Sequence, residues 1–108
     1  MKRLNIQLQP QRCVEEASKH VNDLVEVATA HDPDVVVDVE EGDDEGPYIN
    51  VNIDSENVKL LWGELSTLIT SDPSMASSII ACCEGDDRWN DYLLLHHFDE
   101  TEPLDVLP

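Results

Sequence analysis

The sequence predicts a single α+β domain with helices packed on one face of an antiparallel sheet. Three observations predict it. Five short segments have strand character, two longer ones repeat apolar residues at steps of three and four, and the order is β-α-β-β-α-β-β. Residues 1–99 carry the domain, and residues 100–108 form an acidic C-terminal tail that docks, in one reading, on the last hairpin.

Leu4, Ile6 and Leu8 alternate with Arg3, Asn5, Gln7 and Gln9, the period of a strand with one buried and one wet face. Pro10 ends it. From Gln11 the period changes: Val14, Ala17, Val21, Leu24, Val25 and Ala28 line one side of a helix that Asp32-Pro33 closes. Glu15 and Glu16 suit the positive end of that helix, and His31 its negative end.

Val35, Val37 and Val39 alternate with Asp34, Val36, Asp38 and Glu40, a β-branched strand. Residues 40–47, EEGDDEGP, read as an acidic turn leading to Ile49, Val51 and Ile53, so the pair makes a hairpin. Asp54 or Ser55 is the expected cap of a second helix, with Val58, Leu61, Trp62, Leu65, Leu68 and Ile69 as its apolar stripe. Ser71-Asp72-Pro73 stops it.

Residues 78–84 and 91–98, separated by GDDRWN, read as a second hairpin. The whole order matches a ferredoxin-like layout with an added C-terminal strand, which would give the sheet order 5-4-1-3-2; the alternative is an open α+β sandwich with another strand order. That layout hosts many unrelated activities and assigns none.

The last two strands are apolar on both faces. With Glu84 opposite Asp91, one face holds Ile79, Ala81, Cys83, Tyr92, Leu94 and Phe98, and the other Ile80, Cys82, Leu93 and Leu95. A sheet wet on one side should alternate, so something is expected to cover Ile80, Cys82, Leu93 and Leu95. The candidates are the tail and a second copy of the chain, which would make a homodimer through this hairpin.

Composition narrows the function classes. The 24 Asp and Glu outweigh 6 Lys and Arg, for a formal net charge of −18, which disfavours direct binding to nucleic acid or an anionic membrane. Three cysteines, two of them adjacent, make a poor disulfide framework, and Asn5, Gln7 and Gln9 interrupt any apolar signal region, so a reducing cytoplasm is the expected setting.

The stretch ACCEGDDRWNDYLLLHHFDE gathers cysteines, carboxylates and histidines, yet strand pairing sets Cys83 and His96 about 13 Å apart. Neighbours on a strand face opposite ways, so Cys82-Cys83 and His96-His97 are not chelating pairs. Asp86, Asp87 and Asp91, or Asp43, Asp44 and Glu45, could line a calcium turn, but neither fits the alternate-ligand pattern of a calcium-binding loop. No metal or other cofactor is expected. No nucleophile motif or phosphate-cradling loop is present, and Cys13 reads as core. His97, with Asp99 nearby, is the remaining acid/base candidate.

The leading expectation is therefore a non-enzymatic interaction module, of the inhibitor or immunity type, that docks a basic protein. Asp34, Asp38 and Glu40 on one strand, Asp54 on the next, and Asp43, Asp44 and Glu45 between them would form a negative edge. Arg88 and Trp89 at the other hairpin are residue types enriched in binding hot spots. The alternatives are a small enzyme or ligand-binding domain, with a pocket between sheet and helices near His20, Trp62 and His97, and acidity as a salt or solubility adaptation.

Overall fold

The alternation at Leu4, Ile6 and Leu8 becomes the central strand of the sheet. A computed structural model describes residues 1–12 and 17–107 of the chain. Its strands are β1 (Lys2–Leu8), β2 (Val36–Asp43), β3 (Pro47–Ser55), β4 (Ile79–Gly85) and β5 (Arg88–His96). Its helices are α1 (Ala17–His31), α2 (Val58–Ser71) and α3 (Pro73–Ala76), with a single 3-10 turn at Pro10–Arg12. All pairings are antiparallel, and the order is β2-β3-β1-β4-β5, the one expected from the sequence. Among the described residues no helix is long and apolar enough to cross a membrane.

The helices cover one face. Leu4, Ile6 and Leu8 meet Leu24 and Ala28 of α1 and Leu61, Leu65 and Ile69 of α2 in one core without solvent exposure. These are the residues the helical stripes single out, because a step of three or four returns each to the same side of its helix. The expectations for Cys13, Val14, Glu15 and Glu16 lie outside the described residues.

Several boundaries differ from expectation for identifiable reasons. The second helix is capped by Asn57, whose side chain accepts from Leu60 N at 3.3 Å, and not by Asp54 or Ser55. Asp54 is still in β3, where Arg3 holds it, and Ser55 accepts from the Asn57 N–H. Asp72 does more than stop α2. Its carboxylate accepts from Ser74 N and Met75 N and so starts α3, a turn of helix that apolar periodicity cannot reveal in four residues.

The acidic segment 40–47 is mostly strand. Glu41 pairs with Ile49, Gly42 with Tyr48 and Asp43 with Pro47, leaving only Asp44, Glu45 and Gly46 to turn. Glu45 and Gly46 take positive φ there. A Cβ on Gly42 would run into the end of the Tyr48 ring, so glycine lets that ring lie across the strand where any other residue would push it aside.

The second hairpin has a shorter turn than expected, since β4 runs to Gly85 and β5 begins at Arg88 opposite it, with Arg88 at φ 52, and β5 ends at His96 instead of Phe98. Irregular register in this hairpin overturns the expected faces. Cys83 pairs with Leu93 rather than Tyr92, and Ala81 with His96. Leu93 and Leu95 therefore face the helix-side core. Ile80 and Cys82 look out with Tyr92 and Leu94 instead. A bulge adds one residue to one strand, which reverses every side chain beyond it.

Candidate functional site

The face of the sheet away from the helices carries three kinds of surface in sequence across the strands. Strand registry places Asp38, Asn52, Asn5, Cys82 and Leu94 in one transverse row, and Glu40, Asn50, Gln7 and Ile80 in the next. The face thus runs from carboxylates on β2, through amides on β3 and β1, to apolar side chains on β4 and β5. The amides are linked: Asn5 Nδ2 donates to Asn52 Oδ1 at 2.8 Å, and Asn52 Nδ2 donates to Glu40 Oε1 at 3.1 Å.

At the end of the sheet nearer the second hairpin turn, Arg3 makes a two-pronged contact with Asp54, Nε to Oδ1 at 2.8 Å and a terminal nitrogen to Oδ2 at 3.1 Å. This hydrogen-bonded pairing holds Asp54 below its ordinary value and Arg3 above its own. Glu84 accepts from the Arg3 backbone N–H at 2.8 Å.

Between Arg3 and the tail lies a cavity of about 530 Å³. Ile80, Cys82 and Leu94 supply its apolar residues, Trp89 and Tyr92 its rings, and Asn5 and Asn52 polar groups. His97 and Glu102 also line it. The tail reaches the site by a pairing with the outer edge of β5. Asp105 N–H donates to Leu94 O at 2.7 Å, and Leu94 N–H donates to Asp105 Oδ2 at 2.9 Å. Leu107 packs against the core, whereas Leu104 and Val106 are exposed.

Of the acidic residues read from the sequence, Asp38 and Glu40 lie on this open face, Asp43 ends β2, and Asp44 and Glu45 form the turn. Asp34 is exposed just before β2, its N–H bound to Asp32 Oδ1. Antiparallel pairing of β3 and β4 with β1 sends the two hairpin turns to opposite ends of the sheet. Arg88 and Trp89 are consequently remote from Asp43, Asp44 and Glu45, and share their end with Asp54.

The histidines do not assemble. His20 is fully buried, its Nε2 3.2 Å from Ser74 Oγ. His96 Nε2–H donates to the Ala76 carbonyl at 2.8 Å. His97 lines the open-face cavity and a hollow beside α3, while His20 is buried next to Ser74, so among the described residues the pocket expected near His20, Trp62 and His97 is not seen. Asp99 offers His97 its backbone N–H, at 2.9 Å from Nδ1, and gives its carboxylate to Thr101. Among the described residues no three His, Cys, Asp or Glu side chains converge as a metal site.

Sequence reasoning missed Tyr92 and Leu94 as outward-facing and missed Arg3, Asn5, Asn52 and Glu102 altogether. The alternation of Arg3 and Asn5 with Leu4 and Ile6 already put the first two on the wet face, and that signal could have found them. No family model, curated protein or solved structure matches this chain.

Proposed function

We propose that this chain acts by binding rather than by catalysis, as a small acidic module whose β2–β3 hairpin docks a basic surface of another protein. One observation carries the reading. Asp38, Glu40, Glu41, Asp43, Asp44 and Glu45 are all exposed on an edge strand and its turn. Among the described residues, the Lys and Arg ion pairs are Lys2–Asp86, Arg3–Asp54 and Lys19–Asp23, and none takes up these six carboxylates.

Carboxylates crowded with little counter-charge, Arg3 near Asp38 apart, repel one another, and a basic partner relieves that repulsion while being drawn in by the field. The position of β2 adds a second means of attachment. Among the described residues its outer edge has no neighbouring strand, and Val36 and Val39 are 55% and 45% exposed along it. An extended basic segment can pair with such an edge through its own backbone.

The test is recovery of partners at low ionic strength by the wild-type chain and by the triple variant D43N/D44N/E45Q. A basic protein should bind the first, with association slowing steeply as salt is raised, and bind the second at least several-fold more weakly. Recovery of no basic partner, or equal binding by the variant, overturns the reading.

A further inference from the structure

We infer that the cavity on the open face receives an arginine side chain from the docked basic segment. The inference takes its partner from the docking reading, but the pocket itself stands on separate observations.

The first is shape and surface. Ile80, Cys82 and Leu94 are only half-buried apolar residues on a face that is otherwise carboxylate and amide, and Trp89 and Tyr92 leave 43% and 55% of their surface open beside them. Exposed apolar and ring surface gathered in one hollow marks a place of recognition. The rings come from the β5 side of the tight turn, at the opposite end of the sheet from Asp43, Asp44 and Glu45, so a partner that engages both must span the face.

The second is charge. Arg3 lines the cavity, yet it is surrounded by Asp54, Asp38 and Glu84, all of which favour its charged form. Three carboxylates against one guanidinium leave the surroundings of Arg3 net negative, and at the cavity lining itself Glu102 sets a carboxylate against Arg3. An anionic guest would meet repulsion from these groups and from a chain of net charge −18.

The third is the match between a planar cation and this mixture. A guanidinium is weakly hydrated, stacks on aromatic faces and presents a fork of N–H donors to carboxylate and amide oxygens. An ammonium is compact and strongly hydrated, so apolar walls beside flat rings serve it less well. Asn52, 7% exposed, is held by Asn5 and Glu40, which keeps the polar side of the cavity in place before any guest arrives.

The experiment titrates the full chain, labelled with nitrogen-15, with N-acetyl-arginine methylamide, and in parallel with the blocked lysine and blocked citrulline analogues. The Trp89 indole N–H resonance should move with arginine. Trp62, packed against the core on the helix side, is the internal control. Lysine should bind about fivefold more weakly, and citrulline, the uncharged isostere, should produce no shift over the same range. Glu102→Gln and Tyr92→Ala change exposed residues, and each should weaken arginine about two- to fivefold while the fold is retained.

Equal response to lysine or citrulline, a motionless Trp89 resonance, or unchanged affinity in both variants overturns the inference. The two readings fail separately. D43N/D44N/E45Q should keep the arginine response, so loss of partner binding in that variant reports on the hairpin alone. Partner binding that survives both Glu102→Gln and Tyr92→Ala unweakened counts against the arginine pocket and leaves the hairpin reading in place.

Discussion

Asp105 pairs with Leu94 as though it were a strand residue, but it uses its side chain for half of the pairing. Its N–H donates to the Leu94 carbonyl at 2.7 Å, and its carboxylate accepts from the Leu94 N–H at 2.9 Å. The carboxylate thus stands in for a backbone carbonyl at the outer edge of β5, which would otherwise offer that N–H to water or to another chain.

Removing the acceptor should release both partners. Asp105→Ala should speed hydrogen exchange at the Leu94 amide by at least tenfold, the equivalent of about 1.4 kcal/mol of local opening. Asp105→Asn keeps a side-chain oxygen and should lie between the two. Unchanged Leu94 protection in Asp105→Ala would show that the tail contributes nothing to the edge. Deleting residues 100–108 should have the same local effect and also remove Glu102 from the cavity.

The Arg3–Asp54 pair makes a prediction about acid. The Asp54 carboxyl is held below its ordinary value of 3.8 by the hydrogen bond from Arg3. A depressed folded value means that the unfolded chain takes up the proton first as pH falls. The contribution is therefore complete well above pH 3.8, shrinks as pH falls through the depressed folded value, and vanishes below it. Asp54→Asn should cost about 1 kcal/mol at pH 7, a modest figure because both side chains are partly exposed. Denaturant unfolding of the two proteins should converge at low pH, and a constant difference from pH 7 to pH 2 would rule the linkage out.

Layer and element order were legible because both rest on periodicity, which the apolar pattern states directly, and the sheet order followed from matching that element order to a known layout. Leu24, Leu61 and Leu65 could go only where their helices' apolar stripes put them. The cavity was not legible, for a different reason. Leu93, Leu94 and Leu95 are a run of identical residues, so nothing in their chemistry says which one faces out. That choice is made by the irregular register between β4 and β5, a backbone event without a side-chain signature here. Asp105 and Glu102 were equally hidden, since a tail without periodicity announces no partner.

His20 shows a polar residue used as core. It interrupts the stripe of α1, yet it is fully buried, with Nε2 3.2 Å from Ser74 Oγ and Nδ1 3.9 Å from Asp72 Oδ2. Asp72 and Ser74 belong to the junction of α2 and α3, so the ring fastens α1 to that junction. His20→Ala should leave a cavity beside stranded polar groups and cost about 2–4 kcal/mol. Ser74→Ala should cost about 1 kcal/mol. Asp72→Ala, which also removes the cap of α3, should cost about 1–2 kcal/mol. If His20→Ala unfolds at the wild-type denaturant midpoint, the ring has no fastening role.

Cys82 and Cys83 are adjacent in sequence and on opposite faces of β4, which separates their reactivity. Burial raises both thiols above their ordinary value, so the nucleophilic thiolate is scarce in each at neutral pH. Cys82 is half-buried in the open-face cavity, while Cys83 is sealed in the core at 0% exposure. Iodoacetamide at pH 8 should therefore modify Cys82 slowly, at least tenfold below a free thiol, and leave Cys83 untouched until the chain unfolds. Tandem mass spectrometry over time resolves the two adjacent sites by backbone fragmentation between them, and addition of denaturant should bring Cys83 to the same rate as Cys82. A blocked arginine seated beside Cys82 should slow its alkylation further without changing Cys83. Equal labelling of both thiols in the native chain would contradict the register that turns Cys82 outward and Cys83 inward.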